Sequence, residues 1–186
     1  MSYTELSKTI TNMLDNDDKK GNGIYFTSQE LIVRMIKMLG KRRFKRILEP
    51  CYGSGEFIRT LSKKYKKSNI EGIEMNETMT ELCEGNEEIN KENVVLKRGD
   101  YLKTEFEGDY DLIIGNPPFG KVSKFYLDNV DSKTSLKKTK NIFAFFIEKS
   151  ILLSKRVAFI IPKSFLNSPE FKTLRELVSK SNICNI

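Results

Sequence analysis

The sequence predicts an α/β fold, a doubly wound, mostly parallel sheet with helices on both faces. Three observations carry this expectation. Short apolar runs such as "DLIIG" and "RVAFII" suit strands that are covered on both faces. Stretches of helical periodicity alternate with these runs, which implies right-handed crossovers between parallel strands. The most unusual residues directly follow the strands, and in such sheets ligands bind beyond the carboxyl ends of the strands.

Each element has its own signal. "YTELSKTITNMLD" reads as a short amphipathic helix and "NDDKKGNG" as a polar break, so residues 1–20 form a helix with a linker ahead of a core at 21–186. "SQELIVRMIKMLG" is a helix with Ser28 as N-cap and Gly40 as its stop. There follow strand "RILEP", helix "GEFIRTLSKKYKK", strand "NIEGIEM", helix "ETMTELCEGNEEIN", and strands "NVVLKRGD" and "DYDLIIGN". A lysine-rich loop leads to helix "IFAFFIEKSILLS", strand "RVAFIIP", helix "PEFKTLRELVSK" and the stub "NICNI".

Composition narrows the function classes. With 186 residues the chain suits one domain. No window approaches the roughly 18 unbroken apolar residues of a membrane span, and "MSYTELSKTI" is no signal peptide. The three cysteines (Cys51, Cys83, Cys184) are odd in number and lack C-x-x-C spacing, which fits a reduced compartment. A cytoplasmic protein is expected, or a nuclear one, or one of the host cytoplasm if viral, and not a secreted one. Histidine is absent, which removes Ser-His and Cys-His nucleophile schemes and most zinc sites, so metal-free chemistry is expected. The net charge of +7 is clustered in "KRRFKR", "KKYKK" and the lysines of 121–140, as a polyanionic partner would require.

The strand ends form a series. In "LEPCYGSGEF", Gly53 and Gly55 allow a tight turn and close backbone approach ahead of a helix N-terminus. Glu74 ends the second strand about 20 residues on, where an acidic residue takes ribose hydroxyls. Asp100 ends the third and is followed by Tyr101. An aspartate there can accept from an exocyclic adenine amine while apolar neighbours hold the ring. Singly, each is an ordinary turn or cap residue; in series they point to an adenosine-containing cofactor. The complete G-x-G-x-x-G of dinucleotide binding is absent, and Glu49 would repel a pyrophosphate while favouring a cationic ligand.

The fourth strand runs into Asn116-Pro117-Pro118-Phe119. Two prolines remove two backbone donors and stop any ladder. What remains is a rigid turn that presents one amide and one aromatic ring.

With "LEPCYGSGEF", "IEGIEMNE", "GDYL" and "LIIGNPPFG" in this order, the chain resembles the S-adenosylmethionine-dependent N6-adenine DNA methyltransferases, whose fold is Rossmann-like. "GIYFTSQELIVRMI" is similar to the family's N-terminal cofactor segment and "NIFAFFIEKSILLSKRVAFIIPKSFL" to its fifth-strand region. The resemblance implies S-adenosyl-L-methionine as methyl donor, S-adenosyl-L-homocysteine as product, and no metal. Its cofactor set would be Tyr25, Thr27, Glu49, Pro50, Gly53, Gly55, Phe57, Glu74, Met75, Asp100, Tyr101, Asn116 and Phe146. Within that set Glu74 would bind the ribose, and Met75, Tyr101 and Phe146 would flank an adenine edged by Asp100. Ser28 stands where the family has proline.

The resemblance assigns catalysis to Asn116, Pro117, Pro118 and Phe119. The Asn116 side-chain oxygen and the Pro117 carbonyl would accept the two amine hydrogens, and Phe119 would stack on a base flipped out of the duplex. Lys121, Lys124, Lys137, Lys138 and Lys140 lie on the loop just after this turn, where a phosphate backbone would pass. Nucleic acid is the expected partner, DNA preferred, and no membrane.

The chain ends at "NICNI", about where the family's sixth strand runs, so the final hairpin and the target-recognition region are expected to be missing. Several readings are open: a fragment or a subunit that needs a second polypeptide, a small RNA adenine methyltransferase, or an impaired binding subunit. Self-association through an uncovered sheet edge is a further expectation.

Overall fold

The computed structural model describes residues 4, 5, 7–9, 27–128, 130, 135, 136 and 139–181, with only the backbone of Lys124. Most of the expected N-terminal helix, the 16–23 linker, Tyr25, Lys137, Lys138, Cys184 and the "NICNI" stub lie outside the described residues; Glu5 and Ser7–Thr9, inside them, are helical.

From Gln29 the elements are α1 (Gln29–Met38), β1 (Arg46–Glu49), α2 (Glu56–Lys64), β2 (Asn69–Glu74), α3 (Glu77–Glu84), β3 (Val94–Arg98), β4 (Leu112–Gly115), α4 (Lys124–Asp128), α5 (Ile142–Leu153), β5 (Val157–Phe159) and α6 (Lys172–Ser179). Short 3-10 turns at Lys163–Leu166 and Pro169–Phe171 precede α6. The sheet has five strands in the order β3-β2-β1-β4-β5, and every pairing is parallel.

Strand alternation splits the interior into two cores. Ile47, Ile70, Leu112 and Ile114 pack against Ile32 and Ile36 of α1, Ile58 and Leu61 of α2 and Cys83 of α3. Leu48, Ile73 and Ile113 pack against Phe143 and Ala144 of α5 and Leu174 of α6. Helices therefore cover both faces, as doubly wound sheets require. After β3 the chain returns past β1 to lay β4 on its other side, with Ile47 opposite Leu112 and Leu48 opposite Ile113. That reversal opens a crevice between the carboxyl ends of β1 and β4.

Several local expectations change. Ser28 has extended backbone at the N-cap position of α1, but its side chain caps nothing; its carbonyl accepts from Leu31 and Ile32, and Glu30 offsets the helix dipole. Gly40 ends the helix as expected, with φ +71° and its N–H on the Lys37 carbonyl. α3 stops at Glu84 instead of running to Asn90, because the Asn86 side chain accepts from the Glu88 N–H and turns the chain. The lysine-rich loop contains a helix, α4, whose first turn is held by Ser123 Oγ accepting from the Tyr126 N–H. Among the described residues, no helix is long and apolar enough to cross a membrane.

Candidate active site

The crevice widens into a cavity of about 590 Å³ bounded by the loops that follow β1, β2, β3 and β4. Thr27, Glu49, Pro50, Gly53, Phe57, Glu74, Met75, Asp100, Tyr101, Asn116, Pro118 and Phe146 all line it. Gly55, Pro117 and Phe119 are not among its lining residues.

The loop after β1 is built for close approach. Gly53 and Gly55 have φ of +53° and +73°, a region that costs L residues energy. A Cβ on Gly55 would also meet Ile89 Cδ1 at 2.5 Å. Glu74 ties this loop to the next, with one carboxylate oxygen accepting from the Gly53 N–H at 3.0 Å and the other from the Asn76 N–H at 2.8 Å. The thiol of Cys83 donates to the Gly53 carbonyl, and that of Cys51 to the Asn116 carbonyl. Nothing in the cysteine spacing announced these roles.

The turn after β3 is equally fixed. Asp100 Oδ1 accepts from the Leu102 N–H at 3.0 Å, and Oδ2 accepts from the Tyr126 hydroxyl at 2.8 Å. The Lys149 ammonium donates to the carbonyls of Tyr101, Leu102 and Thr104, holding the turn from below. The Tyr101 and Phe146 rings pack on each other at 4.9 Å, too close to admit a third ring between them. They therefore make one wall of the cavity, and Met75, 64% exposed, stands separately at its rim. Tyr126 and Lys149 escaped sequence reasoning, since each acts through a contact across 26 residues or more.

At the end of β4, Asn116 Nδ2 donates to Thr27 Oγ1 at 3.1 Å, which fixes the plane of the amide. Phe119 is partly buried, edge-on to Phe143 with ring centroids 6.3 Å apart. Lys121 and Lys140 are exposed and brought side by side: Lys121 forms an antiparallel bridge with Asn141, and the Val122 N–H donates to the Lys140 carbonyl.

Charge inside the cavity opposes that of the chain. Glu49, Glu56, Glu74, Glu77 and Asp100 line it against the single cation Lys121, in a protein of net charge +7. Burial, and then the neighbouring Glu74, push the Glu49 carboxyl well above its usual range. Its Oε2 has no hydrogen-bond partner among the described residues. Burial also raises Glu74, against the backbone N–H groups that lower it. Burial raises Glu56 too, but hydrogen bonds from Ser7, Thr4 and Arg59 outweigh it and hold that carboxyl low. An orphaned buried carboxylate oxygen, a glycine cradle and two further strand-end acids fit a ligand with a cationic amino or sulfonium end and a hydroxylated, amine-bearing end. Among the described residues no cluster of Asp, Glu or Cys is arranged to hold a metal.

Known proteins share this arrangement. The type II methyltransferase M.AccI of Acinetobacter calcoaceticus is 30% identical over 95% of this chain and 34% of its own length. The modification methylase CviBIII of Paramecium bursaria Chlorella virus NC1A is 27% identical over 95% of this chain and 47% of its own length. The chain thus spans between a third and a half of these relatives. The type I restriction-modification system methyltransferase subunit from Streptococcus thermophilus has the same fold, with TM-score 0.64 and 20% identity over 86% of this chain and 39% of that one. The sequence model of Eco57I restriction-modification methylases matches residues 6–186, from the N-terminal helix through every strand of the sheet, and the chain belongs to that family.

Proposed function

We propose that the chain transfers a methyl group from S-adenosyl-L-methionine to the N6 amine of adenine in DNA, leaving S-adenosyl-L-homocysteine. One observation carries the reading: an acidic cavity at the β1/β4 switch point opens onto the Asn116-Pro117-Pro118-Phe119 turn. Membership of a restriction-modification family supports DNA as the substrate.

The chain's own residues have separable tasks. Glu49 faces the cationic amino group, Glu74 accepts from the ribose hydroxyls, and Asp100 accepts from the cofactor's adenine amine. When bound, the cofactor supplies a methyl group activated on a sulfonium. The Asn116 side-chain oxygen and the Pro117 carbonyl accept the two hydrogens of the target amine, whose lone pair is otherwise delocalised into its ring. Localising that lone pair prepares the nitrogen for attack, and the same oxygens stabilise the positive charge that develops. The surplus proton leaves to solvent after transfer, so no histidine is needed. Phe119 serves this turn by packing on Phe143 and, with a small rotation, by meeting the target base. Sequence selectivity is assigned to a second polypeptide or to a second copy along β5, which pairs only with β4 among the described residues.

The test is transfer of labelled methyl to duplex DNA, single strands and structured RNA, followed by nuclease digestion. Label recovered as N6-methyladenine from DNA is the expected result. Label on RNA alone would favour an RNA methyltransferase, and no transfer with intact cofactor binding would favour a binding subunit.

The Glu49 environment gives a pH signature. In the free protein its folded pKa is raised, so the protonated form is favoured and stability falls as pH rises through the window above the ordinary carboxylate value. A cation beside it reverses that preference and expels the proton. Cofactor affinity should therefore rise with pH across this window, by at most about tenfold per pH unit for one proton. Calorimetry in two buffers of different ionisation enthalpy should show the release, and Glu49→Gln should flatten the slope. An unchanged slope in Glu49→Gln would remove Glu49 from this role.

A further inference from the structure

α4 has two sides that do different things. Tyr126 turns inward onto Asp100 and lines the cavity, with the Lys103 ammonium 4.8 Å from its ring centre. Its neighbour Phe125 is 80% exposed, more than any other large hydrophobic residue among those described. A lone exposed apolar residue is ordinary, but the setting of this one is not. It sits six positions after the Phe119 of the catalytic turn, on the segment that carries exposed Lys121 and is bridged to the strand-like stretch carrying exposed Lys140. The Tyr126 hydroxyl and the Ser123 cap anchor the helix beneath it, so presenting the ring costs little ordering entropy.

From this we infer that Phe125 is a stacking platform for a DNA base at the rim of the cavity, distinct from the catalytic turn, with Lys121 and Lys140 holding the adjacent phosphates. Single-stranded nucleic acid is bound by this combination of aromatic faces and a cationic track, and stacking is insensitive to salt while phosphate contact is not. A base displaced from a duplex, or its orphaned neighbour, is a single-stranded base in this sense. Because Asp100 anchors Tyr126, the platform is also mechanically continuous with the adenine end of the cofactor pocket.

The inference rests on the DNA reading above, and its test separates the two. Fluorescein-labelled single-stranded and duplex oligonucleotides of mixed sequence are titrated by anisotropy against the full chain and its variants. Phe125→Ala should weaken single-strand binding about tenfold, with an unchanged salt slope, and Phe125→Trp should restore it. Lys121→Gln with Lys140→Gln should instead reduce the salt slope. S-adenosyl-L-methionine affinity should be the same in Phe125→Ala as in the unaltered chain, which reports that the pocket is intact. Unaltered chain that binds and methylates DNA, with Phe125→Ala binding equally well, would overturn the platform and leave the DNA reading standing. Unaltered chain that binds the cofactor but neither oligonucleotide would overturn both.

Discussion

Asn116→Ala will lower methyl transfer by roughly 10²–10³-fold while leaving cofactor affinity nearly unchanged, the size of loss seen when one preorganised partner of a developing charge is removed. The amide stands at the end of a fully buried strand, and its nitrogen is committed to Thr27 Oγ1 at 3.1 Å. That commitment fixes which end of the amide is its acceptor. Alanine removes the acceptor without disturbing β4, since the prolines that follow set the backbone on their own. Single-turnover kinetics with saturating cofactor is the measurement. Near-normal turnover in Asn116→Ala would eliminate the amine-localising role of the turn.

Glu74→Ala will weaken S-adenosyl-L-methionine binding on the order of 100-fold, from the loss of charge-assisted hydrogen bonds each worth about 1.5–3 kcal/mol. Two effects add. The ribose loses its acceptor, and the glycine loop loses the carboxylate that holds the Gly53 N–H at 3.0 Å. Glu74→Gln separates them, because an amide oxygen can still accept from Gly53 while the charge is gone. Calorimetry should rank the affinities with the unaltered chain tightest, then Gln, then Ala. Equal affinity for all three would refute the assignment of Glu74.

Much of this architecture was legible in the sequence because parallel strands buried on both faces announce themselves. Ile113 and Ile114 need apolar cover on opposite sides, and only a doubly wound sheet supplies it. The strand-end residues Glu49, Glu74, Asp100 and Asn116 were legible for a related reason: topology alone delivers them to one edge. Contacts made across the fold were not. Ser28 has the identity of a cap but leaves its hydroxyl out of the helix end. The five residues of α4 are too few to show a helical period, and their lysine-rich surroundings hid the Ser123 cap. Tyr101 and Phe146 read as two sides of a sandwich, whereas their rings had already found each other in the core. The hydrogen bonds of Cys51 and Cys83 to backbone carbonyls follow no spacing rule at all.

The β1–β4 junction has a mechanical meaning. Everything proposed to grip the methyl donor hangs from β1, β2 and β3, or from the segment before α1, while the groups proposed to grip the acceptor hang from β4. The two sets meet along a seam where β1 and β4 share a short register. Three side-chain bonds cross it above the sheet: the Cys51 thiol to the Asn116 carbonyl, the Asn116 amide to Thr27, and the Tyr126 hydroxyl to Asp100. They act as a caliper, setting the gap between the jaws against sliding of one half over the other. In a displacement that must run in line, a shear of a fraction of an ångström along this seam would cost rate without loosening either ligand.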